Sequence, residues 1–152
     1  MTETNLKQTG LNKTQLVLRF LLATLVTFAL ASIAHTQFVL FELSQLSIEI
    51  PFTTWITTTL NDLVGLFPGY GGIILIGLLI GFCFMWGINK LTKLPRPVAY
   101  SVAGALSLIS IHLLMHPIFN ITLIAGARTF WGLLTQVLCG AIGGYLFGKL
   151  LK

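Results

Sequence analysis

The chain has 152 residues, 55% of them hydrophobic and 9% charged, and its excess of Lys and Arg gives a net charge of +5. A soluble domain carries about 25% charged residues, because water must solvate its outside; this composition excludes such a globule and makes lipid the solvent. It also excludes a nucleic-acid partner, since the basic residues flank apolar runs and do not gather on one soluble face.

Residues 1–14 are polar and carry Lys7 and Lys13, which predicts a disordered arm ahead of one transmembrane domain over 15–152. The first span is predicted over about 16–40, a run of apolar residues interrupted by Arg19, His35 and Gln37. At 1.5 Å per residue such a run crosses a hydrocarbon core of about 30 Å. Arg19 lies near its start, where its stem can snorkel to the headgroups. Ala29-Leu30-Ala31 and Ser32-Ile33-Ala34 also resemble signal-peptide cleavage sites. The long basic lead, and an apolar run that continues to Phe41, favour a retained span instead.

Glu42 to Ile50 contain no basic residue and alternate loosely, as an extended connector does. Pro51 then opens a two-faced segment over about 51–67. Phe52, Trp55, Ile56, Leu60, Leu63, Val64 and Phe67 recur at helical spacing, while Thr53, Thr54, Thr57, Thr58, Asn61 and Asp62 fill the other face. That pattern predicts an amphipathic helix lying in the outer interface, too polar to span. Pro68-Gly69-Tyr70-Gly71-Gly72 predicts a turn after it.

The second span is predicted over about 73–89, followed by Lys90, Lys93 and Arg96 in a tight loop with Pro95 and Pro97. The third is predicted over about 98–115 and stopped by Pro117. The fourth is predicted over about 130–149, after a loop holding Asn120, Gly126 and Arg128. The expected fold is therefore an all-α four-transmembrane-helix bundle with one outer interfacial amphipathic helix.

Lys7, Lys13, Arg19, Lys90, Lys93, Arg96, Lys149 and Lys152 fall on one side of this scheme, and Arg128 alone on the other. Basic residues in short loops mark the cytoplasmic side, so both termini are expected there, in a bacterial inner membrane. Trp55, Tyr70 and Trp131 are expected in the outer aromatic belt.

Apolar side chains gain little by leaving lipid, so small and polar residues mark the packing faces. Gly140, Gly144 and Gly148, with Gln136 one step earlier, form such a stripe on the fourth helix; Gly77 and Gly81 form a shorter one on the second. Thr24, Thr27, Ala31 and His35 share a face of the first helix, and Ser101, Ala105, His112 and His116 share one of the third. Both faces should point into the bundle. The neighbours of these stripes could be in the same chain, in a homo-oligomer or in a larger membrane complex. Cys83 and Cys139 lie inside apolar runs and read as small hydrophobes.

His35 lies sixteen residues past Arg19, about 24 Å along the helix axis, at the depth of His112 and His116. The four-residue spacing of His112 and His116 stacks them on one face. Those two with His35 could ligate a metal, and His35 with His112 a haem. The plainer account ends each histidine near the headgroups, bonded to water or a neighbour. Arg128 is expected to pair with Asp62 or Glu42, or to bind an anionic headgroup or substrate. No Ser-His-Asp set, phosphate-binding glycine loop or cysteine pair at metal spacing is present in the sequence. A non-enzymatic membrane protein without a resident cofactor follows: an accessory or assembly subunit, or a protomer of a small oligomeric transporter. The alternative is a metal- or haem-binding protein.

Overall fold

A computed structural model describes residues 12–46, 49–119 and 129–151. The described residues contain no strand; their elements are α1 (Lys13–Gln45), α2 (Phe52–Gly65), a π-helical turn (Phe67–Gly71), α3 (Gly72–Thr92), α4 (Arg96–Phe119) and α5 (Phe130–Leu150). Four of these segments, α1, the π turn with α3, α4 and α5, are long and apolar enough to cross a membrane. The described residues thus form an all-helical unit whose four apolar helices are compatible with a small membrane protein.

The expected connector shrinks, because α1 continues through Glu42 to Gln45. No glycine or proline interrupts that stretch, and the Ser44 hydroxyl donates to the Phe41 carbonyl at 2.7 Å, which a helix end accommodates. At 33 residues, α1 is about 50 Å long, well beyond a hydrocarbon core of about 30 Å. Pro117 does not stop α4 either, since the helix runs to Phe119. A proline removes only one backbone bond there, and so near a helix end the loss is tolerated.

The expected turn at Pro68–Gly72 is instead helical. Gly71 and Gly72 hold φ of −60° and −64°, and the Gly71 N–H donates to the Leu66 carbonyl at 3.3 Å, five residues back. Backbone groups in lipid must bond internally, which overrides the turn preference of a Pro-Gly pair. A real chain reversal lies between α3 and α4. There Lys93 adopts φ 50°, its N–H caps the Asn89 carbonyl, and Pro95 accepts from the N–H groups of Val98 and Ala99. At the start of α5, Thr129 caps the Gly132 N–H at 3.1 Å.

Around the bundle the order is α1, α5, α4, α3, with only a thin seam between α1 and α3. The α4–α5 seam is backbone against backbone. A Cβ at Gly140 would overlap Gly104, one at Gly144 would overlap the Tyr100 carbonyl, and one at Gly148 would overlap Arg96. Gly143 faces α1 in the same way, against Thr27 and Ala23; Gly77 and Gly81 face Ile111 and Ser107 of α4. With no side chain between them, helix backbones approach closely enough for dispersion and Cα–H···O contacts to hold the pair.

The two ends of the bundle differ. At the basic end, Arg19 and Arg96 each donate from Nη1, to the Leu150 and Leu151 carbonyls, and so cap α5. Below them Phe20, Phe82, Tyr100 and Phe147 form an aromatic layer, with Phe82 stacked on Phe147 at 4.7 Å. The opposite end is filled by polar side chains.

The helix α2 lies against α1 through part of its polar side. Asp62 and Thr59 face α1: Thr36 donates to Asp62 Oδ2 at 2.7 Å, and Gln37 Nε2 donates to Thr59 at 3.2 Å. Phe52, Ile56, Leu60 and Val64, spaced by four, form an exposed apolar row. Thr36 and Gln37 draw these two side chains inward because hydroxyl and amide groups on a membrane helix need partners.

Candidate functional site

The face of α1 that turns inward carries Ala23, Thr24, Thr27, Phe28, Ala31, Ser32, His35, Thr36 and Leu40, at spacings of three and four. Thr27 returns its proton to the Ala23 carbonyl at 2.8 Å, which satisfies the hydroxyl within its own helix. The Thr36 hydroxyl lies 2.7 Å from Asp62 and 3.1 Å from the Ser32 carbonyl. It has one proton, and the shorter, charge-assisted bond to the carboxylate takes it. The Ser32 and Thr24 hydroxyls are buried without a hydrogen-bond partner among the described residues.

Gln136 of α5 is 1% exposed and stands between α1 and the π turn. Its Nε2 donates to the Ala31 carbonyl at 2.9 Å, and its Oε1 accepts from the Tyr70 hydroxyl at 2.9 Å. The orientation of that amide is fixed by this pair, because a flip would set Oε1 against a carbonyl. Tyr70, expected in the outer aromatic belt, is instead 3% exposed and interior. The π turn aims it inward, where Gln136 satisfies the hydroxyl that lipid could not. Trp131 is exposed and Trp55 half-buried.

His112 of α4 completes the cluster. Its Nδ1 lies 2.8 Å from the Leu108 carbonyl, and its Nε2 lies 3.4 Å from the Tyr70 hydroxyl. A carbonyl accepts only, so Nδ1 carries a hydrogen. In the neutral ring Nε2 is then an acceptor, and one Tyr70 proton serves two acceptors, Gln136 Oε1 and His112 Nε2. In the imidazolium form Nε2–H donates to the Tyr70 oxygen, and a continuous chain runs from Leu108 through His112, Tyr70 and Gln136 to Ala31. His35 is 9% exposed and lies near Asp62 and His112.

His35, His112 and Asp62 thus belong to one polar end of the bundle. The backbone of His116 lies in α4, one turn beyond His112; its side chain and Arg128 lie outside the described residues, so the expected metal triad and the Arg128–Asp62 pair do too. Among the described residues no three His, Cys, Asp or Glu side chains converge as metal ligands. Both nitrogens of His112 already face oxygens, so ligation through Nε2 would require release of Tyr70. Cys83 and Cys139 are both free thiols. Gly77, Gly81, Gly140, Gly144 and Gly148 lie at the seams described above.

Sequence reading gave no role to Thr36 and Ser32, gave Gln136 only a packing role and sent Tyr70 outward. Gln136 carried the one available signal, as an uncharged hydrogen-bonding group in the middle of an apolar run. Comparison of the chain with protein families, with curated proteins and with solved structures finds no match.

Proposed function

We propose that this protein is a non-enzymatic protomer of a small proton-linked transporter, with the polar end of the bundle as its site. The observation that carries the reading is the chain Leu108–His112–Tyr70–Gln136–Ala31, in which one hydroxyl proton has two acceptors. Polar groups inside a membrane are costly, and they mark ion pathways and proton relays. His112 is the exchanging group, Tyr70 the rotor that follows its protonation, and Asp62 with His35 its neighbours in the same cluster. The buried Ser32 hydroxyl beside Thr36 is a further group able to bond a passing water or ion. An accessory subunit would need the glycine seams alone.

In this reading the basic end, with both chain termini, faces the cytoplasm, and α2 lies along the outer interface with its exposed row Phe52, Ile56, Leu60 and Val64 in lipid. The location is a bacterial inner membrane.

Proteoliposomes loaded with a pH-sensitive dye test the function. Under an imposed pH gradient the wild-type chain should acidify or alkalinise the lumen, and His112→Ala should abolish the flux. A wild-type rate equal to that of empty vesicles removes the transport reading. Metal or haem ligation by His35, His112 and His116 is the second reading, favoured by the way His35 and His112 enter one cluster. An absorbance spectrum and metal analysis of the purified protein decide it.

A further inference from the structure

The seam between α1 and α3 is open at the basic end, as a groove of about 470 Å³. Leu16 and Phe20 of α1 form one wall, Leu79 and Trp86 of α3 the other, and Phe147 of α5 lies in the floor. Arg96 sits on its margin. Its guanidinium donates one Nη1–H to the Leu151 carbonyl, which leaves further donors of the five in that group for a ligand. On α3, Lys90 holds Nζ 3.7 Å over the ring of Trp86, which lines the groove. Lys13, Arg19, Lys93 and Lys149 belong to the same end, which has no Asp or Glu among its described residues.

The geometry points to a binding site for one anionic phospholipid, with an acyl chain in the α1–α3 groove and the phosphate between Arg96 and Lys90. The groove is apolar along its length and cationic only at its mouth, which is the charge order of such a lipid. The volume lies within the roughly 300–1,000 Å³ of small-molecule sites. A guanidinium binds phosphate through paired N–H groups, and an ammonium on an aromatic face adds a second positive point. General attraction of anionic lipid to a basic surface would spread over every cation at this end. A seated lipid depends on the two at the groove.

Two readouts on the full chain in vesicles test this. With Trp55 and Trp131 changed to Phe, Trp86 reports the groove, and phosphatidylglycerol brominated on its acyl chains should quench it more than brominated phosphatidylcholine. A preference on the order of tenfold in apparent affinity is expected, falling to about twofold in Arg96→Gln and in Lys90→Gln. Lys13→Gln and Lys149→Gln should leave it unchanged. In the wild type, without any substitution, phosphatidylglycerol should slow alkylation of Cys83, which lines the same groove, several-fold relative to phosphatidylcholine. Equal quenching and equal alkylation by the two lipids overturn the site. So does a preference that falls equally with all four cations, which would mean surface attraction only.

Discussion

Tyr70 and Gln136, sixty-six positions apart, meet through a 2.9 Å hydrogen bond from hydroxyl to amide oxygen with both side chains buried. The bond joins the π turn to α5, and Gln136 passes it on to α1. Tyr70→Phe removes the donor and strands Oε1, at a cost of about 1 kcal/mol, with 1–3 kcal/mol as the range for an unsatisfied buried acceptor. Gln136→Leu combined with Tyr70→Phe should cost less than the sum of the single changes, by about 0.5–2 kcal/mol. Unfolding in mixed micelles measures the four corners of this cycle; strict additivity would show that the pair does not interact in the membrane.

The tautomer of His112 is a second consequence. With Nδ1 2.8 Å from the Leu108 carbonyl, the neutral ring should be the Nδ1–H form, with the Nε2 lone pair toward Tyr70. Nitrogen-15 shifts of the labelled histidine at alkaline pH distinguish the two forms, and an Nε2–H ring would break the chain as drawn.

The glycine seam predicts a contrast within one residue type. Gly144→Leu drives a side chain into the Tyr100 carbonyl and should destabilise the bundle by at least 1–3 kcal/mol, the range for overpacking. A Cβ at Gly87 meets nothing within 4 Å, so Gly87→Leu should leave stability within about 0.5 kcal/mol of wild type. Melting in mild detergent, with oligomer size as control, compares them; equal melting points would put the α4–α5 contact in doubt.

Four long helices were readable because each is a nearly uncharged run of sufficient length, and lipid admits few other backbones. The depth of His35 and His112 followed from helical rise alone. Partnership was not readable. The stripe at Gly140, Gly144 and Gly148 announces a close neighbour, but α4 answers it with backbone and one isolated glycine, Gly104, which forms no repeat. Tyr70 misled because Pro68–Gly72 has the composition of a turn, and only the need to bond every buried N–H keeps it helical. The partner of Asp62 was not readable either, because an amphipathic pattern ranks residues by polarity and does not name Thr36 as the group that bonds it.

Reporter fusions and labelling test the topology. A reporter after Lys152 or before Leu16 should read as cytoplasmic, and one near Asn120 as external. Single cysteines at Thr54 and Thr57, which are exposed, should label readily from outside. One at Thr59, turned to Gln37, should label at least several-fold more slowly. A cytoplasmic reading near Asn120, or uniform labelling along α2, would contradict this arrangement.

The α4–α5 seam also has an entropic side. In water, glycine inside a helix is a liability of about 1 kcal/mol against alanine, because its backbone has the most freedom to lose. In a bilayer each helix forms on insertion, before it meets a neighbour, so that loss is incurred at an earlier stage and does not weigh against association. When α4 and α5 close, Gly104, Gly140, Gly144 and Gly148 have no rotamers to surrender. A residue type that weakens a soluble helix thereby becomes, at this interface, one whose docking requires almost no ordering.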